Sequence, residues 1–93
     1  NEDWVNEYLD IKNVNTRWKD SSYANFRPHV LMGSYLSEIL MAIKGPSVLL
    51  DIHERMSKKA SFTDAFQGIF GVSWNQAKPE IAKVIYDRYL YNY

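Results

Sequence analysis

Ser61–Trp74 reads S-F-T-D-A-F-Q-G-I-F-G-V-S-W, and it writes a complete short helix together with its stop and the next start. Ser61 is placed to accept from the backbone N–H of Asp64, while the Asp64 carboxylate favours the positive end of a helix, an S-x-x-D variant of the capping box. Phe62, Ala65, Phe66 and Ile69 fall at i, i+3, i+4 and i+7, so one apolar stripe faces a core. Gly71 supplies the left-handed position after the last turn, and Val72 the hydrophobic contact that often follows it. Ser73 with Gln76 then repeats the cap signature for another helix.

Upstream, Leu36, Ile39, Leu40 and Ile43 form a second i, i+3, i+4, i+7 stripe, opened near Pro28 and closed at Gly45. This helix is the expected centre of the core, with Phe66 and Ile69 facing Leu36, Leu40 and Ile43. Gly45-Pro46 stops it and starts the next, in which Val48, Leu49, Ile52 and Met56 take the inner face and Asp51, Glu54, Arg55 and Lys58 the outer one. Lys58-Lys59-Ala60 connects this helix to the one capped by Ser61. Downstream, Pro79 lies deep inside any helix capped at Ser73, so the pattern predicts a short turn and a last helix from about Pro79, with Ile81, Val84, Ile85, Tyr89 and Leu90 as its apolar side.

At the other end, Trp4, Val5, Tyr8, Leu9 and Lys12 follow helical spacing behind acidic Glu2 and Asp3, which predicts a first helix over about residues 2–12. Asn13–Arg27 has no clean period and reads as irregular, with a turn over Thr16–Lys19 that buries Trp18. No alternating strand pattern longer than about four residues and no internal repeat occurs. The sequence therefore predicts a single all-α domain over residues 1–93, a small bundle of about five helices joined by short loops.

Composition bounds the partners. A chain of 93 residues buries roughly 60–68% of its unfolded surface, enough for one modest core. Eleven basic and eleven acidic side chains cancel, so no broad positive field is available to hold a phosphate backbone, and nucleic acid is not the expected partner. Zero cysteines exclude disulfides, thiolate nucleophiles and cysteine-based zinc sites without naming a compartment. The longest weakly charged run, Val30–Ile43, contains Gly33, Ser34, Ser37 and Glu38 and does not read as a membrane span. The chain opens on Asn1-Glu2-Asp3 with no Met, which points to a processed product or a piece of something larger.

Candidate chemistry is sparse. His53-Glu54 begins an H-E-x-x-H zinc motif, but position 57 is Ser, and His29 and His53 are the only histidines. No metal, cofactor or catalytic residue is assigned; His53 reads as a surface helix residue. Asp51 with Glu54, and Asp64 with Glu54, read as a solvated face and not as an acid/base pair. F-G-V-S-W-N-Q-A-K-P-E-I-A has the outline of a DNA-reading helix-turn-helix, but Gln67 falls where a small buried residue is required and Pro79 inside the recognition helix. On helical spacing Tyr86, Tyr89 and Tyr93 share a face, the candidate interface for a protein partner, although tyrosines at a core margin account for the same pattern.

Taken in order, Met32-Gly33-Ser34-Tyr35-Leu36, Lys44-Gly45, Val48-Leu49-Leu50, Ser61-Phe62-x-x-Ala65-Phe66 and Phe70-Gly71-Val72-Ser73-Trp74 resemble the helical C-terminal part of gluzincin-type zinc metallopeptidases, the peptidase MA-like superfamily. In that family a glycine-containing helix is followed by a Gly, a leucine-rich helix, a Ser-Phe-x-x-Ala-Phe helix ending in Phe-Gly-x-Ser, and a final helix. The resemblance covers about Pro28–Tyr93. It implies a non-catalytic helical domain that supports a site supplied elsewhere, because the family's H-E-x-x-H, its general-base Glu and its further Glu ligand belong to an earlier segment. The tyrosine that steadies the transition state in the aminopeptidase-like branch corresponds here to Val30, so no catalytic residue carries over. The expected partner is then the catalytic portion itself. The alternative is a free-standing helical module that binds another protein, with a helix-turn-helix DNA binder as a distant third.

Overall fold

The computed structural model of the protein describes residues 2–19 and 27–90. Among these residues the chain forms α1 (Glu2–Leu9), α2 (Ile11–Lys19), α3 (Arg27–Lys44), α4 (Val48–Ser57), α5 (Phe62–Phe70) and α6 (Trp74–Ile85), followed by a π-helical turn over Tyr86–Leu90. The expected all-α bundle is what forms, with one more helix than the spacing implied.

The signals around α5 act as read. The Ser61 hydroxyl accepts from the Asp64 N–H at 3.1 Å, and Gly71 ends the helix at φ 79°, ψ 5°. Its N–H closes one bond to the Gln67 carbonyl at 2.9 Å, the simpler left-handed cap. That motif has no place for a contact from the following residue, so Val72 is 43% exposed where a hydrophobic contact was expected. Ser73 and Gln76 form a reciprocal capping box at the start of α6.

Four elements differ from expectation. The first helix does not run to residue 12: Asp10 ends α1, its N–H bonded to the Asn6 and Glu7 carbonyls, and then caps α2 by accepting the Lys12 N–H at 3.2 Å. Residues 11–19, expected to be irregular after Asn13, are helical because this cap is backed by burial of Val14. The segment from Asp20 to Phe26 lies outside the described residues. Second, α6 is one continuous helix with Pro79 inside it. The ring removes one backbone donor, leaving the Asn75 carbonyl without that bond; Asn75 and Pro79 are both exposed, so water can take its place. The first turn is held independently, since Trp74 is buried and its indole N–H donates to the Leu9 carbonyl at 2.7 Å.

Third, Ile43 is 60% exposed although its direction agrees with Leu36, Ile39 and Leu40, all buried. The last turn of α3 does have neighbours, since Met41 packs against the core and the Lys44 ammonium lies 5.7 Å from the centre of the Phe70 ring, but Ile43 itself is left uncovered. Fourth, the extensive contacts of α5 are with α2, α4 and α6, whereas α3 packs on α4, α6 and α1. Phe66 nevertheless shares one buried cluster with Leu36 and Leu40, and within it stacks on Phe70 at 4.4 Å and meets Trp74 edge-on.

All buried side chains join one hydrophobic cluster, with Phe62 and Phe66 the largest fully buried members. Trp74 meets both edge-on, with ring centroids 5.4 and 5.0 Å away at interplanar angles of 79° and 87°. Such pairs add about 0.5–1.5 kcal/mol each beyond the area they bury. Gly33 completes the α1–α3 contact, since a Cβ there would stand 3.3 Å from the Tyr8 hydroxyl.

Candidate functional site

The largest departure from expectation, α2, builds the most distinctive surface. Asn15 faces the first turn of α5, where its amide oxygen accepts the Thr63 N–H at 2.9 Å and its amide nitrogen donates to the Thr63 hydroxyl at 3.0 Å. One side chain thus satisfies a backbone donor that the start of any helix leaves unpaired, and fixes α2 against α5. Trp18, one turn further along α2, then lies on Phe62 with ring centroids 4.3 Å apart and on His53 of α4 at 5.8 Å, the latter pair inclined by 29°.

Between α2, the last turn of α4 and the start of α5 opens a cleft of about 850 Å³. Its apolar part comes from Trp18, Met56 and Phe62, and exposed Lys19, Lys59 and His53 edge it. Among the described residues lining the cleft, Lys19 and Lys59 carry charge and none is Asp or Glu.

Lys59 is held there at φ 77°, in the left-handed region that glycine usually occupies. It sits at the end of α4 in a Schellman motif: its own N–H bonds the Met56 carbonyl at 2.9 Å and the Ala60 N–H bonds the Arg55 carbonyl at 3.1 Å. A lysine in this conformation costs on the order of 1 kcal/mol relative to glycine. The motif fixes where its side chain leaves the backbone.

The residues singled out in the sequence are distributed differently. His53 is exposed, as expected, but its ring is engaged by Trp18. Asp51 pairs with Arg55 at 3.1 Å and Glu54 with Lys58 at 3.3 Å, each with the cation one turn on, while Asp64 belongs to the cap of α5. Each carboxylate is thus engaged separately, and the exposed pairs are worth about 0.3–0.5 kcal/mol each. His29 is on α3 and His53 on α4, and among the described residues no three His, Asp or Glu side chains come together as a metal site. Of the tyrosine face, Tyr86 is exposed, Tyr89 is half-buried and stacked on Tyr35 at 4.2 Å, and Tyr93 lies outside the described residues. The wider winding of the π-turn rotates positions after Ile85 away from the spacing that aligned them.

Two phenols are perturbed. Burial pushes the Tyr8 pKa above its ordinary value, with the Trp18 indole N–H and the Arg17 charge partly opposing. Burial also raises Tyr89, reinforced by its hydrogen bond to Glu38 and the Glu38 charge, with Arg88 opposing and Tyr35 adding slightly. Both remain neutral phenols near pH 7.

Sequence reasoning missed the cleft because it read Asn13–Arg27 as structureless. One signal was present: Ile11, Val14 and Trp18 stand at i, i+3 and i+7 behind a capping Asp10. No described helix is long and apolar enough to cross a membrane. No family model matches the chain, and neither the curated proteins nor the solved structures contain a significant match to it.

Proposed function

We propose that this chain is a non-catalytic helical domain of the kind that forms the C-terminal helical part of gluzincin-type zinc metallopeptidases, and that it supports a site supplied by another segment. The observation that carries the reading is the succession from α3 to α6. The glycine-containing helix, the glycine stop, the leucine-rich helix, the Ser-Phe-x-x-Ala-Phe helix and the Phe-Gly-x-Ser junction occur as separate helices in the order the resemblance implies. In such a role the domain contributes shape and rigidity, and the buried aromatic cluster of Phe62, Phe66 and Trp74 supplies the rigidity.

The coding sequence upstream of Asn1 tests the proposal. An H-E-x-x-H in the same reading frame supports it, and a start codon adjoining Asn1 contradicts it. On the same reading, calorimetric titration of the chain alone with zinc gives no stoichiometric heat, and a site of micromolar affinity or tighter would contradict the non-catalytic assignment. The second reading, a free-standing module that binds a protein partner, is favoured by the cleft beside Trp18, one wall of which, α2, precedes the resembling region.

A further inference from the structure

We infer that the cleft between α2, α4 and α5 is a docking site for an acidic polypeptide segment carrying one hydrophobic anchor residue. This goes beyond the supporting role proposed above and does not depend on a peptidase origin. Three independent features converge on it. The first is volume: the open cleft of about 850 Å³ has room for a side chain and the backbone that carries it. The second is the surface offered, in which the rings of Trp18, Phe62 and His53 lie against one another with Met56 beside them, an apolar and polarisable seat for a hydrophobic side chain. The third is charge: Lys19 on α2 and Lys59 at the end of α4 stand at the edge without an acidic counterpart among the described lining residues, on a chain whose total charge is zero.

Charge decides the occupant. Elsewhere on α4 the cations are neutralised one turn away, Arg55 by Asp51 and Lys58 by Glu54. The cleft cations are not arranged in that way, so a segment with carboxylates flanking an apolar residue matches both the edge and the seat. Lys59 adds to this, because the left-handed backbone at φ 77° would be relaxed by glycine, yet the position carries a cation directed from a fixed point of a Schellman turn.

The test uses the full chain labelled with ¹⁵N and an acetylated peptide, Glu-Asp-Leu-Phe-Glu-Asp-Gly, against its counterpart in which every acid is replaced by lysine. The acidic peptide is expected to produce saturable amide shifts in α2, the last turn of α4 and the start of α5, with a Kd on the order of 10–500 µM, and the lysine peptide to bind at least about tenfold more weakly. The double variant Lys19→Glu, Lys59→Glu changes only exposed side chains and should keep the native amide spectrum while weakening the acidic peptide about tenfold or more. The inference is overturned by the absence of saturable shifts up to about 1 mM peptide, by equal binding of the two peptides, by shifts confined to other surfaces, or by undiminished binding to the double variant. A short single-stranded DNA shifting the same amides at lower concentration would equally overturn it, by making the site a general polyanion seat.

Discussion

Two corners of this molecule do the same job by different means. Between α5 and α6 the chain stops on left-handed Gly71 and restarts on Ser73, whose hydroxyl and Gln76 close a capping box, so every partner lies within a few residues. Between α1 and α2 no glycine is present. There Asp10 serves both as the stop of one helix and as the cap of the next, and side chains from beyond the helix complete its last carbonyls. The Leu9 carbonyl accepts from the Trp74 indole, and the Glu7 carbonyl accepts from the Asn13 amide at 2.9 Å. The first corner is written within a few residues, while the second is completed by α6, which returns against α1 to cap the Leu9 carbonyl. A similar contrast separates two helix ends, since Gly71 adopts φ 79° without steric penalty and Lys59 adopts φ 77° against one.

These contrasts can be broken by substitution. The largest effect belongs to the shared core: Phe66→Ala removes a ring only 2% exposed and should cost about 3–5 kcal/mol in urea melts, much of a small domain's stability. Gly71→Val should cost about 1–3 kcal/mol, because a β-branched residue is forced into the left-handed region. Lys59→Gly sharpens the contrast by moving the other way, stabilising by roughly 0.5–1 kcal/mol through relief of the same backbone conformation. A loss from Lys59→Gly would mean that the lysine side chain makes stabilising contacts large enough to hide that relief.

The smallest expected effect is a pH dependence at the α1–α3 contact. Burial keeps the Tyr8 phenol neutral and places its folded pKa above the ordinary 10.0. Its contribution to stability is therefore complete below about pH 10 and is lost as pH rises through the raised value. Urea midpoints should fall above about pH 10, and Tyr8→Phe should lose less over the same range.

How much of this was legible in the sequence follows from the same contrast. The caps at Ser61, Gly71 and Ser73 and the stripes of α3, α4 and α5 depend on neighbours within one or two turns, and they formed where the spacing put them. Pro79 was misread because its local penalty is real, while the compensation, Trp74 anchored to Leu9, acts across 65 residues. Ile43 was misread because periodicity gives direction and says nothing about whether a neighbour covers the position. The cleft was not legible for a third reason: Trp18, His53 and Lys59 come from three elements, brought together by tertiary contacts such as the amide of Asn15 bonded to Thr63 and Trp18 packed on Phe62. The Asp10 cap with Ile11, Val14 and Trp18 was the trace it left.

The account stands on α2 being a helix docked on α5, since both the unexpected sixth helix and the cleft depend on it. A double-mutant cycle with Asn15→Ala and Thr63→Ala, followed by urea denaturation, measures that docking directly. Each single change should destabilise by about 1–2 kcal/mol, and the pair should show a coupling of roughly 0.5–1.5 kcal/mol, because either substitution removes the bond between the Asn15 amide and the Thr63 hydroxyl. Strict additivity, with Asn15→Ala costing less than about 0.3 kcal/mol, would mean that the Asn15–Thr63 bonds do not hold α2 against α5 and would contradict the account.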